Sequence, residues 1–411
     1  MTQLSDAEIV IIGGGAIGCG VAHALVQAGK TDILLLERRP ELADVTTSQG
    51  AGLCGQVRTT PERTRLAMHS ARTFAELQKD EDPSARPEWH AVGSLRVALS
   101  DERVAEFRDM KSACDSAGLE VDLMDAAAAK HLWPMDLRSA KSVLWCPTDG
   151  YMRPRSVVHA YVQRCKRAGV RFATSTTVQG IVTTNGHVSA VDTSSGRVNC
   201  KTVINAAGAH AFHVARLVGL ELPIIPVRHE YFVTGPLKAG LNSQSPCFRI
   251  PDLTLYGRAE NDQLLLGGWE PKALSVDPRS FELAGKPPAV EPDNAVLRQF
   301  AVDFAPMFPA VAGAPCERIG KGWPTFTPDG HFIIGPSRRV GGFVMAGGCN
   351  AHGISGSPGI GLCVVESMLE ANPSTYVRSL SPDRFTETTW DWDTAQSAAR
   401  GIYETYYSLL V

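Results

Sequence analysis

Three glycines, Gly13, Gly15 and Gly18, stand in the spacing G-x-G-x-x-G where a β-branched run, Glu8 to Ile12, gives way to a helical pattern. That spacing suits the binding of phosphates. Gly13 permits a tight turn, Gly15 lets the backbone approach a pyrophosphate at a helix N-terminus, and Gly18 lets helix and strand pack closely. Ile17, Val21, Leu25 and Ala28 fall on one helical face, Gly29 ends the helix, and a second strand from Asp32 to Leu36 stops at Glu37. A carboxylate nineteen residues beyond Gly18 is placed to accept hydrogen bonds from an adenosine ribose. The whole reads as a βαβ unit that binds a dinucleotide. Arg38 and Arg39 after the acid raise the question of a 2′-phosphate.

Other residues suit acid–base or carboxylate chemistry. In LYGRAE, Tyr256 and Arg258 share a strand face by the period of two, and a phenol beside a guanidinium suits a carboxylate. His229 in PVRHEYFVTGP and His352 in NAHGIS carry imidazoles that titrate near neutral pH.

These groups need a scaffold, and 411 residues suffice for two or three structural units. A net charge of -3 offers no electrostatic footprint for nucleic acid or an anionic membrane, so the expected partner is a small molecule. The opening apolar run has no basic leader and contains His23 and Gln27, which argues against a signal peptide or a membrane span. Ten scattered cysteines without a CxxC pair predict no metal site and mostly buried thiols in a reducing compartment, hence a cytoplasmic location.

Five blocks, taken in order, resemble the D-amino acid oxidase/dimethylglycine dehydrogenase superfamily of FAD-dependent amine oxidoreductases. They are the βαβ unit, TTSQGAGLCGQVR (Thr46 to Arg58), DGYMRPRSVVHAYVQRCKRAGVRF (Asp149 to Phe172), TVINAAGAHA (Thr202 to Ala211), and the segment from Thr327 to Gly361. An NAD-only reading leaves the last block without a role. The resemblance implies an α/β fold: a discontinuous Rossmann-type FAD domain interleaved with a mainly antiparallel substrate sheet. The implied boundaries are 1–85, 145–221 and 323–385 for the FAD domain, 86–144 and 222–322 for the substrate domain, and 386–411 as a C-terminal extension. Expected substrate-domain elements include a strand from Gly93 to Leu99, a helix near Leu123 to Leu132, strands at Arg228 to Thr234, Leu253 to Ala259 and Leu264 to Glu270, and a helix near Asp293 to Met307.

By the same resemblance the cofactor contacts are Gly13, Gly15, Ala16, Ile17, Gly18, Glu37 and Arg38 from the βαβ unit, and Thr47, Ser48, Gly50, Ala51, Gly52 and Leu53 from the second block. Val178, Ala206, Ala207 and Gly208 follow, with Gly348, His352, Gly353, Ile354 and Ser355 from the last block. His229 matches an active-site histidine of the dimethylglycine/sarcosine dehydrogenase branch, and Tyr256, Arg258 and His352 join it as expected catalytic groups.

The chain also departs from its relatives. Gly322 and Gly50 stand where some relatives attach flavin covalently through Cys or His, so FAD is expected to be non-covalent. Leu265 and Ser355 replace two lysines of sarcosine oxidases, and Trp323 replaces the carboxylate-anchoring arginine of glycine and D-amino acid oxidases. A substrate carboxylate is then expected at Arg258, Arg58 or Arg228, with Trp269 and Trp323 making the site aromatic. The folate-binding region of long dimethylglycine dehydrogenases is not expected, since the chain stops at Val411.

The implied reaction is oxidation of the C–N bond of a secondary or tertiary amino acid, N-methyl, cyclic or opine-like, with oxygen or an electron carrier as acceptor. Alternatives on the same scaffold are a D-amino acid or glycine-type deaminating enzyme, a 2-hydroxy acid dehydrogenase, and a non-catalytic flavin-binding assembly subunit.

Overall fold

The computed structural model describes residues 4–407. Its first sheet has six strands in the order Ile333–Pro336, Phe343–Gly347, Thr202–Asn205, Ile9–Ile12, Ile33–Leu36 and Arg171–Ala173. All neighbours are parallel except the antiparallel edge strand Ile333–Pro336. The central runs IVII and ILLL are buried along their whole length, as a parallel sheet covered on both faces requires. Alternate residues feed two cores. Ile9, Ile11, Ile33 and Leu35 pack with the helices Ala16–Gln27, Pro154–Arg167 and Ser357–Leu369, whereas Val10, Ile12, Leu34 and Leu36 pack with a three-stranded antiparallel sheet and the segment Ala211 to Ile224.

The second sheet has eight strands, in the order Cys316–Gly322, His229–Thr234, Gln263–Gly268, Leu255–Glu260, Cys247–Ile250, Ser94–Ala98, Ser142–Cys146 and Asp122–Met124. It is antiparallel apart from one parallel pairing, Cys247–Ile250 with Ser94–Ala98, where two sequence-distant segments are joined. Leu95, Val97, Phe248, Ile250, Leu264 and Leu266 cover one face with the helix Asn294–Phe304. Residues between them in sequence lie on the opposite face, where Leu265 packs with Tyr231, Tyr256, Ala51 and Leu53.

The expected helix from Leu123 to Leu132 is corrected. Leu123 lies in the strand Asp122–Met124, and helix spans only Ala126–Ala129, because Asp125 caps it by accepting Ala128 N–H (2.7 Å). Pro134 then disfavours helical backbone at Trp133 and closes off an extension. At the other end of the chain, the helix Trp392–Glu404 is capped by Asp391 through Thr394 N–H (2.8 Å) and docks Ala399 and Tyr403 against Ile225, Val227 and Phe326. Nine of the ten thiols are buried and free, and only Cys316 is exposed. No helix among the described residues is long and apolar enough to cross a membrane.

Candidate active site

Two cavities, of about 240 and 150 Å³, meet end to end. They share Gly15, Thr46, Thr47, Ala206 and Gly208, so together they make one elongated channel along the glycine-rich turn. The smaller runs toward Glu37 and Val178, and the larger opens under the eight-stranded sheet at Tyr256 and Trp269.

The channel floor is thin because glycine makes it so. Gly13 has φ +117°, and a Cβ there would stand 2.4 Å from Ala206 O; at Gly18 it would stand 1.9 Å from Gly13 O. Gly15 offers no side-chain cap to the helix Ala16–Gln27. Thr47 Oγ1 accepts Ala16 N–H (3.1 Å), which leaves a helix N-terminus facing the junction of the cavities. Glu37 is fixed at the wall of the smaller cavity: its two oxygens accept Gly14 N–H and Arg39 N–H, each at 2.8 Å. Arg38 reaches across to donate to Leu283 O (3.1 Å) and Gly285 O (2.7 Å), so that Leu283 and Pro287 close this end. Its charge is spent on that strap rather than held open for a 2′-phosphate.

The larger cavity is a side-chain construction. Tyr256 Oη lies 2.8 Å from His229 Nε2, and His229 Nδ1 lies 3.1 Å from Tyr403 Oη. Burial drives the imidazole pKa down to about 4 and both phenols upward, so the row stays neutral. A neutral imidazole has one donor and one acceptor nitrogen, so it donates to one phenol and accepts from the other. Tyr256 fits because its ring crosses Gly267, where a Cβ would be 2.4 Å from the phenol oxygen. Trp269 stacks on His229 (4.6 Å between centroids) and on Tyr406 (3.7 Å).

His352 sits below this row, on a turn whose preceding residues Asn350 and Ala351 have φ +44° and +62°. Such backbone is strained for non-glycine residues, and Asn350 holds it by accepting Thr327 N–H (3.0 Å) and donating to Gly348 O (3.0 Å). His352 Nδ1 donates to Asn350 O (2.8 Å), so Nε2 is the acceptor for Tyr406 O–H (2.9 Å). Burial, and then the charge of Arg58, push this imidazole down to about 3.

A family model described as FAD dependent oxidoreductase matches residues 8–367. The chain belongs to that family. It is 28% identical to dimethylglycine dehydrogenase of Rattus norvegicus over 97% of this chain and 47% of that enzyme. It is also 28% identical to 4-methylaminobutanoate oxidase (formaldehyde-forming) of Paenarthrobacter nicotinovorans, over 93% of this chain and 46% of that enzyme. The chain thus spans about half the length of the curated relatives it matches. A solved L-proline dehydrogenase from P. horikoshii superposes with TM-score 0.83 at 23% identity, covering 93% of this chain and 98% of that one.

FAD fits the channel, whose two cavities joined at a helix N-terminus match a nucleotide and a ring joined by a pyrophosphate. Of the residues expected to touch it, Gly13, Glu37, Arg38, Val178 and Ala207 line the smaller cavity. Ala16, Ile17, the run Gly50 to Leu53 and the run His352 to Ser355 line the larger, while Gly15, Thr47, Ala206 and Gly208 line both. Gly18, Ser48 and Gly348 line neither. Gly18 serves packing, Ser48 Oγ turns back to Val45 O (2.8 Å), and Gly348 makes a turn with φ +61° that feeds Asn350.

Two expected carboxylate anchors are corrected. Arg228 is buried away from both cavities, bonded to Glu270 (2.9 Å) and Asp293 (3.3 Å) and close to Glu230 (3.8 Å). Arg258 shares its strand face with Tyr256 but donates to Ala51 O (2.8 Å) and pairs with Glu260 (2.6 Å) under the loop. Neither lines the channel. Arg58, Trp269 and Trp323 do, although Trp323 N–H is engaged by Pro288 O (2.8 Å) and Trp269 is already stacked with His229 and Tyr406.

Sequence reasoning missed Arg96 and Arg249, which line the larger cavity, and the aromatic trio Tyr403, Tyr406 and Tyr407. The amphipathic helix that carries Tyr403 and the tyrosines just after its end were the available signal; for the arginines only the strand alternation GSLRVA and CFRI hinted at an inward charge.

Proposed function

We propose that this protein is a non-covalent FAD enzyme that oxidises the C–N bond of a secondary or tertiary amino acid to an iminium, which water hydrolyses to an amine and a carbonyl compound. FAD, when bound, supplies acceptance of two electrons as hydride from the carbon next to nitrogen. The observation that carries the reading is that Tyr256 and the neutral His229, backed by Tyr403, line one cavity together with Arg58.

The residues divide the work. Gly13, Gly15 and the helix N-terminus hold the pyrophosphate, Glu37 and Val178 face the nucleotide, and Gly50 to Leu53 with Gly353 to Ser355 face the ring. Non-covalent binding is supported by Gly50 and Gly322, which line the larger cavity and carry no side chain that could form the link. Arg58 donates to Val57 O (2.8 Å) and has no carboxylate partner among the described residues, which leaves it free for the substrate carboxylate. Tyr256 and the uncharged His229 receive the amine in an environment that disfavours a second positive charge, and so favour its unprotonated form. Among the described residues no lysine lines either cavity, which favours an electron carrier over oxygen as the acceptor.

The test is an anaerobic screen of the yellow protein with N-methylated, cyclic, D- and simple L-amino acids, read as bleaching of the flavin absorbance. Bleaching by secondary or tertiary amino acids is expected. Bleaching confined to primary amino acids or 2-hydroxy acids would replace this reading.

A further inference from the structure

Arg96 and Arg249 stand opposite each other on the adjacent parallel strands Ser94–Ala98 and Cys247–Ile250. Both line the larger cavity. Neighbouring strands lie only about 4.8 Å apart, and like charges directly across a sheet destabilise it. Other buried arginines of this protein resolve their charge with a carboxylate: Arg103 with Glu106 (2.6 Å), Arg228 with Glu270 (2.9 Å), Arg258 with Glu260 (2.6 Å).

This pair does not. Among the described residues neither makes an ion pair, and the protein acceptor of Arg96 is Val57 O at 3.2 Å, the oxygen to which Arg58 also donates (2.8 Å), so the three guanidinium groups converge on one side of the cavity. Asp149, whose charge both guanidinium groups feel, is committed to Gln56 N–H (2.7 Å), the Ser94 hydroxyl and the Cys146 thiol. Burial and the facing Arg249 hold the Arg96 guanidinium below its ordinary range, whereas Arg249, against its own burial, is held above by Tyr407 and Asp149. Gly55 leaves the space that the Arg249 head occupies, since a Cβ there would stand 2.9 Å from its Nη2. Two like charges kept in register, Arg96 buried and Arg249 half-buried at the cavity, with room made for them, call for an anion between them and the cavity.

The next member of the same cross-strand row is Tyr256, paired in register with Arg249. The charge pair and the amine-facing phenol are therefore one or two strand spacings apart, about 5–10 Å. We propose that Arg96 and Arg249 bind a second anionic group of the substrate, which makes the substrate class N-substituted amino acids with a further carboxylate a few bonds from the nitrogen. The proposal rests on the amino acid reading above, with Arg58 taking the first carboxylate.

The experiment titrates the FAD-loaded protein with glutarate and with pentanoate, inert acids of equal chain length, following the flavin spectrum. Glutarate is expected to bind at least about tenfold more tightly, the worth of one buried charge-assisted contact. In Arg249→Met and Arg96→Gln that ratio falls toward one, and Arg249→Lys keeps part of it. Equal affinity of the two acids for the wild-type protein overturns the proposal, whether or not any variant folds. A parallel anaerobic comparison of N-methylglutamate with N-methylnorvaline separates the two readings. Bleaching by both at equal affinity removes the anion site and leaves amine oxidation standing. Bleaching by neither, with the glutarate preference intact, removes amine oxidation and leaves the anion site.

Discussion

The two ends of the channel are built by opposite means. The end toward Glu37 has its turn and its acid, Gly13, Gly15 and Glu37, inside one βαβ unit, and later segments at Val178, Ala207 and Leu283 only wall it in. The end under the eight-stranded sheet draws Arg58, Arg96, His229, Arg249, Tyr256 and Tyr406 from six separate places in the chain. A local site is governed by turn geometry, and a distributed one by register. The first should therefore break all at once and the second piece by piece.

The largest effect is expected from Gly18→Val. Its branched side chain has no space beside Gly13 O, and purification should yield no protein retaining FAD; yellow, folded protein would contradict the geometry. Arg228→Met leaves Glu230, Glu270 and Asp293 without their cation and should lower unfolding free energy by about 3 kcal/mol, read by denaturant titration. At the ring end, Tyr256→Phe removes one link of the phenol–imidazole row and should slow flavin reduction by about 10²-fold in stopped flow, with FAD still bound. Arg58→Met should weaken substrate binding by about tenfold in the same traces. The smallest effect has the opposite sign. In ligand-free holoprotein, Arg249→Met relieves the repulsion with Arg96 and should raise the melting temperature slightly, whereas a fall would mean that the pair is already neutralised.

Acid sharpens the same contrast. His23, His210, His229 and His352 have pKa values depressed from 6.5 to about 4, 3, 4 and 3 by burial. The unfolded chain binds more protons than the native one below pH 6.5, so the stability these neutral imidazoles contribute is complete above that pH and is lost as pH falls toward 4. Glu230, raised to about 7 by burial, works the other way, and its contribution fades as pH rises through 7. Four groups outweigh one. Melting temperature should fall steadily from pH 6.5 to 4, and a flat profile there would show that these imidazoles are solvated.

Legibility in the sequence follows the same division. The βαβ unit could be read almost to its boundaries because glycine spacing, helix period and strand composition are all local; the strand expected at Asp32 to Leu36 is Ile33–Leu36. The strands bearing His229 and Tyr256 were also legible from alternation. What alternation cannot supply is where a guanidinium ends. Tyr256 and Arg258 do share a face, but only the loop at Ala51 and the acid at Glu260 decide that Arg258 lies beneath the cavity wall. Likewise Arg96 and Arg249 acquire their meaning from a pairing that no local pattern announces. The Tyr403, Tyr406 and Tyr407 contacts depend on the docking of the C-terminal helix and the turn after it, which brings Tyr403 to His229, 174 residues away in sequence.

The parallel joint between Ser94–Ala98 and Cys247–Ile250 has a consequence for how the protein matures. It closes a loop of more than 150 residues that includes two strands of the first sheet, Arg171–Ala173 and Thr202–Asn205. Contacts of such high sequence separation form late and slowly. During synthesis the nucleotide-facing turn is complete after a few dozen residues, whereas the charge pair cannot exist until the ribosome has released residue 249. A nascent or partly refolded chain will therefore have its glycine turn before it has the means to tell one acid from another, while the nucleotide end itself is closed only when Leu283 and Pro287 have been added.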